Sequence, residues 1–355
     1  MSTRLVKLRS QFEALGLDAF LVTYAPHLRY LSGFSGSNGL GLITRRSSVL
    51  ITDGRYEEQV KSEVKGWKVI ISQLALFDEL RDRGLLRPGV RVGFDGNSLL
   101  YTQFKDLKRA IPTAKFLPKV DCIEQIAIIK EQSEIDAIRK AVGITDRVFE
   151  EILELIRPGM SELDVAAEIS YRQRKHGAER DAFETIVASG ERGALPHGRA
   201  SAKKLRRGEL VTLDFGCVVD GYHSDMTRTI ALGKPGADEK KIYNVVYTAQ
   251  QKAVDKARSG LAAKSLDAVA RDHIKEKGFD KFYRHSLGHG IGLQIHEPPR
   301  ISVLSKAVLA SGNVITVEPG IYVPRIGGVR IEDDVVITSG SCEVLNRSPK
   351  DLIII

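Results

Sequence analysis

The chain has 355 residues, of which 43% are hydrophobic and 28% charged, and its formal net charge is +8. This balance is typical of an ordinary globular protein, and the length allows two domains. No apolar run reaches the length of a membrane span, and the charged stretch MSTRLVKLRS lacks the apolar core of a secretory signal. The composition therefore argues against an integral membrane protein, and no membrane partner is expected.

The cysteines and the basic residues point to no special partner. Cys122, Cys217 and Cys342 are scattered and form no CxxC pair. This pattern argues against a disulfide framework and a thiolate metal site and favours a reducing cytoplasm. The positive charge is spread along the chain, and its densest patch, KKLRR at 203–207, is short. Without a basic helix or an RNA-binding aromatic signature, no nucleic-acid partner is expected.

In chain order, the first part alternates between helix and strand. Leucines and a phenylalanine recur at helical spacing from Leu5 to Leu15, and Gly16 predicts the end of that helix. The runs DAFLVTY, LGLITRRSSVLIT and WKVIIS have the β-branched character of strands. Residues 1–122 are therefore predicted to form a small α/β domain, with a boundary at LPKVDC.

Residues 123–355 show one pattern twice. A long helix with an apolar face from Ile135 to Ile156 precedes a second helix, which begins after Ser161 and ends near Gly177. A strand pair follows, joined at Asp220-Gly221, a strong hairpin signal. Helices at 238–258 and 264–277 then precede a second strand pair. The pattern predicts a duplication of helix-pair and strand-pair halves.

The first strand pair carries two carboxylates, although aspartate is depleted in strands. The two-residue turn at Asp220-Gly221 pairs residues whose numbers sum to 441, so Asp214 faces Thr227 and Asp225 faces Gly216. Asp214 and Asp225 are then diagonal neighbours, with backbones roughly 7–8 Å apart. Two carboxylates that reach a common point repel each other unless a cation lies between them.

The second strand pair repeats the anomaly with Glu318 and Glu332, and Arg330 lies on the same strand face as Glu332. A single such acid is more often a surface carboxylate at a strand end. Four in two matched hairpins, with a histidine from RHSLGHGIGLQIHEPPR at 284–300, form a hard ligand set. Such a set suits two divalent ions better than one tetrahedral zinc. Paired ions would hold a hydroxide and polarise a carbonyl or phosphoryl oxygen.

These motifs resemble a known family. LDFG, SDMTRT, GHGIG, VEPG and RIED, in this order, are similar to the pita-bread metallopeptidases, which include Xaa-Pro aminopeptidase, prolidase and methionine aminopeptidase, with creatinase as a metal-free cousin. The stretches YLSGFSGSNGLGLIT and ITDGRYEEQ resemble the creatinase-type N-terminal domain, which methionine aminopeptidases lack. The resemblance implies an α/β (α+β) fold, with a pita-bread catalytic domain over 123–355 behind a creatinase-type domain over 1–122.

The resemblance also implies roles for individual residues. The metal ligands would be Asp214, Asp225, His289, Glu318 and Glu332. Catalysis would involve Glu318 as proton shuttle, His296 at the tetrahedral intermediate and His197 at the substrate. His285, Tyr322 and Arg330 would support the site from its edge. Arg325 stands where many relatives have glycine, so the loop there is expected to differ. The glycines of GHGIG are expected to let the backbone approach the metals closely.

The expected activity is hydrolysis of the N-terminal Xaa-Pro bond of proline-containing peptides by an Xaa-Pro aminopeptidase. The alternative is an Xaa-Pro dipeptidase (prolidase) restricted to dipeptides, because the sequence does not show the pocket beyond proline. More distant alternatives are a non-catalytic binding protein and a metal-dependent phosphoesterase. Two divalent ions are expected, Mn²⁺ first, with Co²⁺, Fe²⁺ or Zn²⁺ also suited to these ligands. The resemblance also implies a homodimer.

Overall fold

The structure is a computed structural model that describes residues 3–355. The chain forms two compact units, a first unit that extends to Ala127 and a second unit that spans Ile128–Ile355. The sequence analysis set the domain boundary a few residues earlier, after residue 122. No helix of residues 3–355 is both long and apolar enough to cross a membrane.

Within residues 3–127, six strands form one mixed sheet in the order β4-β3-β2-β1-β5-β6. The strands are β1 (Ala19–Val22), β2 (Gly39–Thr44), β3 (Ser48–Asp53), β4 (Lys68–Ser72), β5 (Arg91–Asp95) and β6 (Lys115–Lys119). The helices are α1 (Thr3–Ser10), α2 (Ala25–Ser32), α3 (Glu57–Glu63), α4 (Leu76–Asp82), α5 (Tyr101–Ala110) and α6 (Glu124–Ala127). The predicted α/β character of this part is therefore confirmed.

The first helix is shorter than its apolar spacing predicts. It ends at Ser10, whose hydroxyl donates to the carbonyl oxygen of Lys7 at 2.8 Å. Serine in such a position competes with helical hydrogen bonding. Residues 11–16 form turns, and the amide of Leu17 donates to the carbonyl oxygen of Phe12 at 2.8 Å before β1 begins. Phe12 stays fully buried, so its burial follows from the turns rather than from a longer helix.

The second unit contains the two helix pairs that the sequence predicts. They are α7 (Gln132–Leu155) with α8 (Glu162–Lys175), and α9 (Ala237–Lys256) with α10 (Ala263–Glu276). Ser161 caps α8, because its hydroxyl accepts from the amide of Asp164 and the Asp164 carboxylate accepts from the amide of Ser161. Each pair covers its own apolar core, one around Phe149 and Phe215 and the other around Val246 and Ile315.

The strands of the second unit form two interrupted hairpins with short flanking strands. The first half contains β7 (Arg180–Asp181), β8 (Ile186–Ser189), β9 (Leu210–Phe215), β10 (Cys217–Val219), β11 (Tyr222–His223) and β12 (Met226–Ala231). The second half contains β13 (Gly288–Gly290), β14 (Glu297–Ile301), β15 (Val314–Val317), β16 (Gly320–Val323), β17 (Gly327–Arg330), β18 (Asp333–Ile337) and β19 (Cys342–Val344). Both halves thus follow the predicted order of two helices and then a strand pair.

The first hairpin has the register that its turn dictates. Asp220 and Gly221 have φ angles of 52° and 83°, the positive values that a type I′ turn requires. Val218 then pairs with His223 near the turn, and Asp214 pairs with Thr227 farther out, as predicted. The ladder is broken between these segments, which leaves Asp225 outside a named strand.

The second hairpin is broken at the matching place. β15 pairs with β18, and β16 pairs with β17, in one continuous register that pairs Val317 with Asp333 and Gly320 with Arg330. Glu318 and Glu332 lie in the gap between the two ladders and face each other in this register. The second hairpin therefore opens at both of its carboxylates and the first opens at Asp225, whereas Asp214 stays paired within β9. All four carboxylates line the same cavity.

Candidate metal centre

The two hairpins direct four carboxylates into one cavity of about 740 Å³. Its wall includes Asp214 and Asp225 from the first hairpin and Glu318 and Glu332 from the second. Asp214, Asp225 and Glu332 are each less than 10% exposed. The structure therefore brings together all four acids that the sequence singles out.

His289 completes this group from the short strand β13. Its Nδ1 lies 3.1 Å from the carbonyl oxygen of Gly290, an arrangement in which Nδ1 donates its proton. The other nitrogen, Nε2, then lies 3.3 Å from Oε1 of Glu318 and 3.7 Å from Oδ2 of Asp225. An imidazole lone pair that faces two carboxylates is repelled unless a proton or a metal ion lies between them. The tautomer therefore suits a metal at Nε2.

Several buried carboxylate oxygens here have no hydrogen-bond partner among residues 3–355. They are Oδ1 of Asp214, Oδ1 of Asp225, Oε1 of Glu332 and Oδ1 of Asp334. Burying an ionised carboxylate without a partner is costly, so such atoms are unusual in a folded protein. One ligand atom each from Asp225, His289 and Glu332 lie within 4.8 Å of one another. The residues present therefore fit divalent cations.

The pKa values describe the same imbalance of charge. Burial, followed by repulsion from neighbouring carboxylates, raises the pKa of Asp225 and of Glu332 well above the ordinary values. Burial also opposes ionisation of Glu318, but His289, His285 and Arg330 outweigh it and lower the Glu318 pKa to about 2. Positively charged groups of the protein therefore offset the effect of burial at Glu318. Asp225 and Glu332 need additional positive charge to stay ionised.

Arg330 connects the two hairpins through hydrogen bonds to residues of the first hairpin. Its Nη2 donates to Oδ2 of Asp214 at 2.5 Å, and its Nε donates to the hydroxyl of Thr227 at 3.0 Å. Thr227 in turn donates to Oε2 of Glu332 at 2.6 Å. One guanidinium thus contacts Asp214 directly and Glu332 through Thr227, so it connects an acid of each hairpin.

Tyr322 and His285 extend this network along the cavity wall. The Tyr322 hydroxyl accepts from Nη1 of Arg330 at 2.7 Å and lies 2.9 Å from Nε2 of His285. Nδ1 of His285 lies 2.8 Å from the carbonyl oxygen of Ser286, to which it donates. Burial raises the pKa of Tyr322 to about 12, so the phenol keeps its proton and donates it to His285. Both nitrogens of His285 are thereby used, which favours a supporting role over metal ligation.

Asp334 is a member of this site that the sequence analysis missed. Its Oδ2 accepts from the backbone amide of Asp225 at 2.9 Å, and burial raises its pKa to about 8. The run Glu332-Asp333-Asp334 holds three acids in sequence, and alternation along a strand places Asp334 on the same face as Glu332, a signal that the sequence analysis did not use. Its neighbour Asp333 instead pairs with Arg228 at 2.7 Å, away from the cavity.

The other two predicted histidines lie at the open side of the cavity. His197 and His296 are both exposed and line its wall. The ring of His296 packs edge-on against that of His289, with centroids 4.4 Å apart. Burial of its inner side and the nearby His289 lower the pKa of His296, so it is a neutral hydrogen-bond donor at neutral pH.

Residues 284–300, which carry His285, His289 and His296, are held by contacts with neighbouring elements. The backbone amide of His223 donates to the carbonyl oxygen of Gly292 at 2.8 Å, and its Nδ1 lies 2.9 Å from the same oxygen. The buried pair of Lys130 and Glu297 joins at 2.8 Å. The close approach that the glycines allow is to neighbouring strands, since a Cβ at Gly288 would lie 2.0 Å from the carbonyl oxygen of Thr316.

Two arginines at the cavity mouth were not singled out from the sequence. Arg199 and Arg300 both line the cavity and are exposed. Arg199 forms an ion pair with Glu184 at 2.9 Å, whereas Arg300 has no carboxylate partner within residues 3–355. A single arginine in sequence carries no functional signal, so only the fold identifies Arg300 as a free cation beside the acids.

Carboxylates on two broken hairpins, one imidazole nitrogen that faces them, and two further histidines at the mouth define a metal-dependent hydrolase. Residues 136–339 match the model of metallopeptidase family M24, and residues 4–129 match that of the creatinase/prolidase N-terminal domain. The protein belongs to metallopeptidase family M24. The family and the fold that the sequence predicts are therefore confirmed, and so is the enzyme class.

Similar proteins include peptidases named for proline. The chain is 40% identical to the Xaa-Pro dipeptidase of Pyrococcus horikoshii, over 99% of both chains. Among solved structures, the Xaa-Pro dipeptidase from Bacillus anthracis matches with a TM-score of 0.96 and 44% identity, over 99% of both chains. The X-Pro aminopeptidase from Thermotoga maritima matches with a TM-score of 0.91 and 38% identity, over 97% of this chain and 100% of that one.

Proposed function

We propose that this protein is an Xaa-Pro dipeptidase, which hydrolyses the bond between the two residues of a dipeptide that ends in proline. This is the alternative that the sequence analysis kept beside an aminopeptidase. The single observation that carries the peptidase assignment is the convergence of orphaned carboxylate oxygens with Nε2 of His289. The names of several similar proteins favour the dipeptidase over the aminopeptidase.

The proposed ligands are Asp214, Asp225, His289, Glu318 and Glu332, which would hold two divalent ions. Four carboxylates and one imidazole form an oxygen-rich set, so Mn²⁺ is proposed first, with Co²⁺, Fe²⁺ or Zn²⁺ as substitutes. Bound at these residues, such ions supply an activated water and a Lewis acid for the peptide carbonyl. Metal analysis after dialysis against Mn²⁺ tests the ligand set.

The protein's own residues would then handle the proton and the developing charge. Glu318 lies on the cavity wall beside the other acids, and its carboxylate would accept a proton from the attacking water and pass it to the proline nitrogen. Neutral His296 donates a hydrogen bond to the carbonyl oxygen as it gains charge. His197, exposed on the same wall, contacts the substrate. Proline lacks an amide proton and fixes φ, so a dedicated pocket can select it.

Arg300 supports the restriction to dipeptides. A dipeptide places its free carboxylate directly after proline, and Arg300 is an unneutralised guanidinium on the wall of the same cavity. Arginine binds carboxylates through paired hydrogen bonds. Arg199 is less suited to this role because Glu184 already neutralises it.

The test compares Leu-Pro with Leu-Pro-Leu-Leu for the manganese-loaded enzyme. The dipeptidase proposal expects kcat/KM for Leu-Pro to exceed that for the tetrapeptide by about 100-fold or more. The tetrapeptide has no carboxylate directly after proline, so it loses the charged contact with Arg300. Arg300→Gln should raise KM for Leu-Pro, and Arg199→Gln should have a smaller effect. If the tetrapeptide is cut as well as the dipeptide, the protein is an aminopeptidase instead.

The expectations of a cytoplasmic location and a homodimer also remain proposals. Within residues 3–355, the thiols of Cys122, Cys217 and Cys342 are all free, and the first two are buried. Free thiols are typical of a reducing compartment. The dimer is implied by the family resemblance alone. Light scattering of the purified protein would measure its mass in solution, and a monomer would contradict this proposal.

A further inference from the structure

The position of His296 depends on the loop that carries it. The His296 ring is exposed, and within residues 3–355 it packs edge-on against His289 but makes no hydrogen bond. Residues 291–296, here called the His296 loop, connect β13 to β14 and belong to no helix or strand. A side chain without hydrogen bonds is placed by its backbone, so the contacts that fix this loop decide where the ring lies.

His223 fixes the start of the His296 loop. Its backbone amide and its Nδ1 lie 2.8 and 2.9 Å from the carbonyl oxygen of Gly292. Its Nε2 lies 3.3 Å from Nη2 of Arg180, and a guanidinium can only donate. Nε2 is therefore the acceptor, and Nδ1 carries the proton that it donates to Gly292. His223 is buried in β11, two residues before Asp225, so it ties the loop to the hairpin that carries this acid.

A buried ion pair fixes the end of the loop. Glu297 directly follows His296, and its Oε1 accepts from the amide of Gln294 at 2.9 Å. Its Oε2 accepts from Nζ of Lys130 at 2.8 Å, and the two side chains are only 7% and 1% exposed. Gly292 packs on this pair, because a Cβ there would lie 2.8 Å from Oε2 of Glu297 and 2.9 Å from Cε of Lys130. Both ends of the loop thus meet the same charged contact.

We propose that His223 and the pair of Lys130 and Glu297 are positioning residues, which hold the His296 loop so that its histidine faces the peptide carbonyl. This inference rests on the proposed function, in which His296 donates a hydrogen bond to the carbonyl oxygen as that oxygen gains charge. Such a bond strengthens in the transition state, so a displaced ring lowers kcat and changes KM little. A displacement of about 1 Å is enough to slow a reaction by about 100-fold.

His223 offers the cleanest test, because it lines neither the cavity of the metal centre nor a second cavity of about 480 Å³ in the same unit. For the manganese-loaded full chain on Leu-Pro, His223→Leu should lower kcat about tenfold, because the loop loses one hydrogen bond. KM should stay within about twofold, and the manganese content should not change. His223→Asn should keep most of the wild-type kcat, since its amide nitrogen is as many bonds from Cα as Nδ1 and can donate to Gly292.

A double variant shows whether the effect passes through His296. His296→Ala should lower kcat about 100-fold, and adding His223→Leu should lower it no further, because the loop then positions no imidazole. Lys130→Met removes the other contact and should behave like His223→Leu in both backgrounds. Lys203→Met is the matched control, because it breaks a pair with Glu209 at 2.7 Å that borders neither cavity. It should leave kcat unchanged.

Amide hydrogen exchange of the metal-free protein gives a readout that does not depend on catalysis. The amides of residues 291–297 should exchange about tenfold faster in His223→Leu and in Lys130→Met than in the wild type, because the loop opens more often. In His223→Asn and in Lys203→Met, these amides should exchange as in the wild type. Unchanged exchange in both loop variants would overturn the proposal.

The kinetic outcomes separate this inference from the proposed function. An equal fold loss of kcat from His223→Leu with and without His296 would overturn the positioning role, and so would a loss of manganese in His223→Leu, which would show an effect through Asp225. A wild type whose kcat falls with His296→Ala but not with His223→Leu would overturn this inference alone. A wild type that does not cut Leu-Pro would overturn both.

Discussion

Among residues 3–355, each unit contains one group in which a histidine lies beside two carboxylates. These groups are His27, Asp95 and Glu124 in the first unit and Asp225, His289 and Glu332 in the second. In the first group, Nδ1 of His27 lies 3.3 Å from Asp95, and Nε2 lies 3.5 Å from Glu124. Each ring nitrogen there faces its own carboxylate. The two carboxylates of this group therefore do not converge on one ring nitrogen, and a single ion cannot be bound by both nitrogens of one ring.

The second group is arranged differently. Nδ1 of His289 is used by the carbonyl oxygen of Gly290, and Nε2 alone faces the carboxylates of Asp225 and Glu318. Oxygens of Asp225 and Glu332 also lack hydrogen-bond partners, which is not so for the carboxylates of the first group within residues 3–127. The two groups contain the same types of residue, but only in the second do two carboxylates face a single ring nitrogen. This geometry, rather than composition, indicates which group needs a cation. Four substitutions test this distinction.

Asp225→Asn should have the largest effect. It keeps the shape of the side chain and removes a charge from the group that needs a cation. We expect the manganese content to fall by about one ion or more per chain and kcat/KM on Leu-Pro to fall about 10³-fold or more, since both the nucleophile and the Lewis acid depend on the ions. Elemental analysis and steady-state kinetics measure these effects. Full metal content in this variant would contradict the assignment of Asp225 as a ligand.

His27→Ala should come next and should act on stability alone. Removing the imidazole deprives the buried carboxylate of Asp95 and the partly buried carboxylate of Glu124 of their shared partner, which costs about 2 kcal/mol. The protein has one tryptophan, Trp67, which lies in the first unit, so its fluorescence during urea unfolding reports on this unit. Metal content should equal that of the wild type. A loss of bound manganese without a loss of stability would show that the first group is also a metal site.

How much of this distinction the sequence could predict depends on how each contact is made. The Asp220-Gly221 turn dictates a register, so the pairing of Asp214 with Thr227 follows from the sequence. The broken ladders were not predicted, because nothing local reports that the strands part at Asp225. His27, Asp95 and Glu124 are far apart in the chain, and no spacing rule brings them together. The same holds for Arg300, whose neighbours across the cavity come from other elements.

Thr227→Val should weaken the second group without removing a ligand. The Thr227 hydroxyl donates to Glu332 at 2.6 Å and accepts from Arg330 at 3.0 Å. Valine keeps the shape but leaves both partners with one bond fewer, so metal affinity should fall about tenfold or more. Competition with a chelator measures this affinity. As a control, Thr248→Val changes a partly exposed threonine of α9 that lines neither cavity and should leave the affinity unchanged.

Glu124→Gln should have the smallest effect, and it separates the two acids of the first group. Burial, only partly offset by His27, raises the pKa of Glu124, whereas His27 and the amide of Asn97 outweigh burial and lower the pKa of Asp95. A carboxyl whose pKa is raised by folding binds more protons when folded, so it costs stability as pH rises above the unfolded value. At neutral pH, Glu124→Gln should therefore change the free energy of unfolding by only about 0.5 kcal/mol or less, whereas Asp95→Asn should cost about 1 kcal/mol or more.

Urea unfolding followed by Trp67 fluorescence should also show that the wild type loses stability relative to Glu124→Gln as pH rises from about 4.5. Equal losses in both variants would mean that His27 pairs with the two acids alike.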